Sequence, residues 1–272
     1  MTDWLASILL GIVEGITEFL PVSSTGHLIV ADSILRPDMD KEAKDAFDIG
    51  IQFGAILAVI WFYRRDLMQQ ARELPRDANT KRLWMSVILA FIPAGLVAFF
   101  LNEWITKYLF SPVTVAISLI VWGVVLWIVE SLPRRSTTHD LKEIGLKQAL
   151  LIGCAQVLAL VPGTSRSASS IIGGMLAGLD RPTATAFSFY LSIPTLGIAT
   201  LYAMIKHREE LAQLGVVSLL LGLVFAFITA LLAVGWLLRY VSKHNFKGFA
   251  VYRIVAGVVI LVLTYSGVLS HA

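Results

Sequence analysis

Residues 14–27 read EGITEFLPVSSTGH. Glu14 and Glu18 stand four apart in an apolar run, and Pro21, three hydroxyl residues, Gly26 and His27 follow. A proline inside a helix removes a backbone donor and breaks it, so the apolar region 4–35 is split into halves too short to cross a bilayer alone. The same interruption recurs at residues 160–167, LVPGTSRS, inside the apolar region 146–180. Each region is either a broken span or a re-entrant hairpin that dips into the membrane and returns.

The rest of the chain favours a membrane setting. Of 272 residues, 57% are hydrophobic and 15% charged, and the mean hydropathy is +0.76. A soluble domain of this length carries far more charge. Uninterrupted apolar stretches near 46–63, 83–101, 112–130, 184–204, 214–238 and 249–269 supply six further spans. Seven Trp and seven Tyr suit two interfacial belts. A net charge of +3 dispersed over loops gives no nucleic-acid surface. Cys154 is the single cysteine, so no intrachain disulfide forms. The opening MTDWLASILL has no basic segment and does not read as a cleaved signal peptide.

Basic residues favour the cytoplasmic side of a membrane, and this chooses between the two topologies. With both interrupted regions as hairpins, one side receives 14 Lys and Arg, Arg134 among them, and the other 6. With both regions crossing, the split falls to 12 and 8. The hairpin topology has the sharper bias and places both termini outside. It also makes the chain look duplicated. GIVEGITEFLPVSST near Gly11 resembles GCAQVLALVPGTSRS near Gly153, with Glu14 opposite Gln156 and, after one gap, Pro21 opposite Pro162. A hairpin plus three spans, repeated over about 1–130 and 146–272 of a single membrane domain, is an inverted-topology repeat. Such repeats place a site at the midplane, where broken helices meet.

The polar residues at the breaks fit that site. Glu14 and Glu18 share one helix face, and a lone charge in hydrocarbon costs roughly 3 kcal/mol or more. Either they face water near an interface, or they hold a divalent metal; Mg²⁺ typically takes one or two carboxylates plus phosphate oxygens. Ser23, Ser24 and Thr25 are natural caps for the helix after Pro21. His27, three residues beyond Ser24, lets a serine nucleophile and a histidine base approach, unless it merely bonds a neighbour. In the second break Gly163 permits close backbone approach, while Thr164, Ser165 and Ser167 offer caps and donors. Arg166 needs an anion: a salt bridge to Glu14 or Glu18, or phosphate held together with the free N–H groups of a helix start. Gln52, Asp48 and Gln156 are weaker candidates to line the cavity, Arg253 is placed to snorkel, and 64–82 reads as a solvated loop. There is no GxxxxGK[ST] loop, no HExxH and no zinc spacing.

At these stretches the chain resembles the undecaprenyl-pyrophosphate phosphatase family, bacterial enzymes linked to bacitracin resistance. The family's Glu-x-x-x-Glu element running into P-V-S-S-T-G-H stands here as EGITEFLPVSSTGH, and its P-G-x-S-R-S-x-x-T as PGTSRSASS, with Ser170 in place of the last threonine. The resemblance implies an all-α polytopic protein of the bacterial cytoplasmic membrane, with a site open to its outer face. It implies hydrolysis of a polyprenyl diphosphate to the monophosphate and phosphate, recycling the carrier lipid for cell-wall synthesis, with Mg²⁺ or Ca²⁺ as cofactor. Glu14 and Glu18 would hold the metal. Ser24, His27, Arg166 and Glu18 would be catalytic, and Ser23, Thr25, Gly163, Thr164, Ser165, Ser167 and Ser170 would bind phosphate. A homodimer is compatible. Opposed hairpins serve transporters equally well, so a flippase of a phosphorylated lipid is the competing expectation.

Overall fold

The computed structural model describes residues 3–37, 41–133, 135–213 and 215–269. Arg134 and Leu214, the first residue of the fifth expected span, lie outside them. Among the described residues twelve α-helices follow in order: α1 (Asp3–Thr17), α2 (Ser24–Leu35), α3 (Lys41–Phe62), α4 (Arg64–Glu73), α5 (Ala78–Leu109), α6 (Pro112–Ser131), α7 (Leu146–Val157), α8 (Arg166–Leu176), α9 (Arg181–Lys206), α10 (Arg208–Gln213), α11 (Val216–Val241) and α12 (Lys247–Tyr265). No β-strand occurs among the described residues; a single bridge joins Thr138 to Leu179. The chain is a multi-pass membrane protein, with six helices among the described residues long and apolar enough to span: Glu42–Phe62, Ala78–Leu101, Pro112–Ser131, Arg181–Lys206, Val216–Val241 and Lys247–Tyr265. Large apolar side chains, among them Ile88, Leu96, Leu232 and Val262, are exposed around the bundle. Water would not tolerate that surface over so wide an area, and lipid does.

Local sequence sets the boundaries. Ser111 accepts from the Thr114 N–H with Pro112 in the first turn, and Asp180 accepts from the Thr183 N–H ahead of Pro182. Asp77 caps α5 through the N–H groups of Asn79 and Thr80. These bonds, with the Thr80 hydroxyl first among them, pull the Asp77 carboxyl down to about 2. The region 64–82 is more ordered than its polarity predicts: α4 forms there. Gln70 is buried, donates to the Tyr190 hydroxyl at 2.9 Å and accepts from Trp84 Nε1 at 3.1 Å. Elsewhere, Arg181 forks onto the buried Glu130 at 2.6–3.1 Å, and Glu130 also accepts from the Phe246 N–H. This ion pair joins the ends of α6, α9 and α12.

The helices at the breaks are short. α1 has 15 residues, α2 and α7 have 12 each and α8 has 11. At 1.5 Å per residue none exceeds about 23 Å, against a hydrocarbon thickness of about 30 Å. α1 lies against α2 and α7 against α8. α1 also packs on α11, and α7 on α5. Both of the latter contacts depend on a missing side chain. A methyl at Gly11 would collide with the backbone of Gly222, and one at Gly153 with that of Ala90. α6 packs on α12, and α3 on both α9 and α11.

Both breaks end in the same turn. Ser23 (φ 71°, ψ 102°) and Ser165 (φ 75°, ψ 118°) immediately precede α2 and α8. A positive φ is unfavourable for a residue with a Cβ, by about 1–3 kcal/mol, and persists only where surrounding structure enforces it. The shared turn aligns Ser23 with Ser165, and Gly11 then falls opposite Gly153 with no gap. The prolines are not equivalent, standing two and three residues before these serines.

Arg253 supplies much of the enforcement. Its side chain does not snorkel; the residue is fully buried. From α12, Nη1 donates to the Pro21 carbonyl at 3.0 Å, and Nη2 donates to the carbonyls of Gly163 and Thr164 at 3.0 and 2.8 Å. One guanidinium therefore binds both breaks within three residues of each strained serine. Ser167 adds a second tie, donating from α8 to the Leu20 carbonyl at 2.9 Å.

Candidate active site

Glu14 lies in the last turn of α1, and Glu18 directly follows that helix. The Glu18 N–H still donates to the Glu14 carbonyl at 2.9 Å, so the helical spacing of the two carboxylates is kept. Both residues are buried. Glu18 Oε2 accepts from Ser24 Oγ at 2.7 Å, and Oε1 accepts from Arg166 Nη2 at 3.3 Å. The two interrupted segments, 148 residues apart, thus meet on one carboxylate.

Arg166 is held by two further residues. Nη1 donates to the Ser188 carbonyl at 2.9 Å and to Ser188 Oγ at 3.2 Å. The guanidinium carbon lies 5.5 Å from the centre of the Phe19 ring, a cation–π distance. Phe19 is fixed in turn by an edge contact with Phe189 at 5.6 Å. Nε of Arg166 is buried without a hydrogen-bond partner. Ser170 stands one step behind: its Oγ is 2.7 Å from Ser188 Oγ and 2.9 Å from the Arg166 carbonyl. Its hydroxyl is directed into this scaffold, where the missing threonine methyl changes no polar contact.

Ser24 and His27 do not pair. The Ser24 hydroxyl faces Glu18, and both His27 nitrogens are engaged elsewhere. Nδ1 is 2.7 Å from the Ser23 carbonyl and Nε2 is 2.6 Å from the Tyr252 hydroxyl. The spacing of three placed Ser24 and His27 on one turn, but the turn at Ser23 brings the Glu18 carboxylate to the serine first. Thr25 is half-buried beside them. Ser165 accepts from the Ala168 N–H at 3.2 Å and lies 2.9 Å from Ser167 Oγ, so it serves its expected cap. Ser23 makes no side-chain cap. Gly163 has φ +90°, and a methyl there would strike the Val115 backbone. Thr164 is buried with Oγ1 unpartnered.

The weaker candidates separate. Asp48 bonds Lys44 at 3.3 Å, and Lys44 also reaches Asp32 at 2.6 Å. Gln52 accepts from Thr200 at 3.1 Å, and Gln156 donates to Thr195 at 3.4 Å. Four contributors escape spacing arguments: Phe19, Ser188, Tyr252 and the inward-facing Arg253. Arg253 carried a usable signal, since an ionisable residue within a span marks a functional position by default.

A family model described as bacitracin resistance protein BacA matches residues 7–259. This chain belongs to the BacA family. The matched stretch takes in both breaks and residues 252–253 of α12. Relatives named undecaprenyl-diphosphatase include one from Deinococcus radiodurans, 56% identical over 99% of this chain and 98% of the relative. Another, from Deinococcus deserti, is 51% identical with the same coverage. A third, undecaprenyl-diphosphatase 1 of Chromobacterium violaceum, is 44% identical over 97% of each chain. The likeness to these relatives therefore extends over nearly the whole chain.

A divalent cation fits the acidic pair. Glu14 Oε1 is buried and accepts no hydrogen bond, which leaves a carboxylate oxygen open. Each Glu18 oxygen has a second lone pair beyond the bond it already accepts. Among the described residues no group of three or more His, Cys, Asp and Glu converges into a metal cage. Two carboxylates completed by phosphate oxygens are the usual arrangement for Mg²⁺.

Proposed function

We propose that the protein is an undecaprenyl-diphosphatase, releasing the terminal phosphate of a polyprenyl diphosphate whose head enters between the two breaks. The observation that carries this reading is the buried Glu18 carboxylate shared by Ser24 of one segment and Arg166 of the other. A lipid anion site needs the guanidinium, and only an enzyme needs a hydroxyl poised on a carboxylate beside it. The names and identities of the relatives point the same way.

In this proposal Glu14 and Glu18 hold a divalent cation that neutralises diphosphate oxygens when bound. Arg166 and the first-turn N–H groups of α2 and α8 grip the terminal phosphoryl group, whose transfer depends mainly on positioning and charge neutralisation. Ser24 Oγ forms a bond to the terminal phosphorus, and its proton passes to Glu18 Oε2. The bond from that phosphorus to the bridging oxygen breaks, and the lipid monophosphate leaves with the electron pair. Water then attacks the phosphoserine and gives its proton to His27 Nε2. As inorganic phosphate leaves, the Glu18 proton returns to Ser24, and His27 gives up its proton to the phosphate or to solvent.

The inverted repeat and the outward-facing site belong to the same proposal. Helix packing supports the repeat, since exchanging the halves turns α1 on α11 into α7 on α5, and α1 on α2 into α7 on α8. The charge bias supports a site reached from the outer face.

Purified protein with undecaprenyl diphosphate and Mg²⁺ should release phosphate, and a chelator should stop it. Ser24→Ala should fall to background, while His27→Ala should accumulate label on Ser24 from substrate labelled in the terminal phosphate. Wild type releasing no more than Ser24→Ala would favour lipid transport instead.

A further inference from the structure

Tyr252, which no motif announces, touches His27, a proposed reacting group. A carbonyl oxygen only accepts, so the 2.7 Å contact to Ser23 requires the proton on His27 Nδ1. In the neutral ring Nε2 is then an acceptor, and the 2.6 Å contact makes the Tyr252 hydroxyl its donor. The two rings are nearly parallel, 3° apart, with centres 5.6 Å from each other. The same helix carries Arg253, whose side chain ties α12 to both breaks. The phenol is therefore anchored to the site frame and does not hang from a loose helix.

We propose that Tyr252 is a positioning residue for His27: its hydroxyl holds the imidazole as the neutral Nδ1–H tautomer, with Nε2 aimed as a proton acceptor. The ring is gripped at both nitrogens, one by the first break and one by α12, so neither rotation nor tautomer exchange occurs without losing a bond. The role in turnover rests on the functional reading above, in which water attacking the phosphoserine gives its proton to Nε2. That water displaces the phenol from the nitrogen, and the phenol resets the ring after the proton has gone.

Tyr252→Phe keeps the ring and removes the donor. The variant should lower kcat about tenfold, the worth of one hydrogen bond to a reacting group, and leave KM within about twofold. In ¹⁵N spectra of histidine-labelled protein, with the His27 signals identified by their loss in His27→Gln, the unprotonated nitrogen should move downfield in Tyr252→Phe. The protonated nitrogen should stay in place. Unchanged spectra overturn the proposal, whatever the rate does. A moved resonance with unchanged kcat overturns it too, because the bond then does nothing for the reaction. If wild type itself releases no phosphate, the functional reading has failed, and the nitrogen spectra alone decide whether Tyr252 positions His27.

Discussion

Arg166→Ala should lower phosphate release at least about a thousandfold while the protein still inserts and folds. Removing one neutral donor from a transition-state pocket costs about 10²–10³ in rate, and a guanidinium on a transferred phosphoryl group is worth about 10³–10⁵. The Arg166 fork is aimed before substrate arrives, by the Ser188 carbonyl and hydroxyl on one side and Glu18 on the other. Arg166→Lys should recover only a small part of the loss, because an ammonium is a point charge without the planar fork. Losing the arginine leaves Glu18 with Ser24 as its remaining donor, so the thermal transition should be recorded beside the rate. Near-normal turnover of a well-folded Arg166→Ala protein would remove the clamp from the mechanism.

Arg253→Met should damage stability and turnover together. Methionine fills the space of the aliphatic stem but offers no donor to the carbonyls of Pro21, Gly163 and Thr164. Each buried acceptor left unpaired costs about 1–3 kcal/mol. Relief of the desolvated charge returns part of this, so a net loss of about 3 kcal/mol is expected. Once the tie is gone, Ser23 and Ser165 can relax from their strained turns, and Ser24 and Arg166, each the next residue, lose their aim. Arg253→Lys should be intermediate, because one ammonium reaches fewer of the three carbonyls. Thermal unfolding in detergent and phosphate release check this prediction. A methionine variant as stable and active as wild type would show that the breaks hold each other without α12.

These two arginines show what a reader of the sequence can and cannot find. Arg166 announces itself: a guanidinium amid PGTSRS, between apolar halves too short to span, needs an anion. Arg253 lies near the start of a long apolar helix, a position where snorkelling is cheap, and its partners are backbone carbonyls 89 or more residues away. Carbonyls have no sequence signature. The six spans and the two breaks were legible because hydrocarbon thickness and proline act locally. The Ser24–His27 pairing was not, since it assumed a regular first turn, and the positive φ at Ser23 re-aims the hydroxyl toward Glu18. Tyr252 reaches His27 across 225 residues, a distance over which helical spacing carries no information. The segment 64–82 misled for a different reason: its charges are solvated as expected, but one buried glutamine docks α4 onto Tyr190 and Trp84.

The most direct test is a crystal structure with a prenyl diphosphate analogue whose bridging oxygen is replaced by methylene. It should place the terminal phosphoryl group within hydrogen-bonding reach of Arg166 and the first turns of α2 and α8, with Ser24 Oγ in line with the bridge. An analogue bound with its phosphates away from Glu18 and Arg166, the ion pair still intact behind it, would contradict the account.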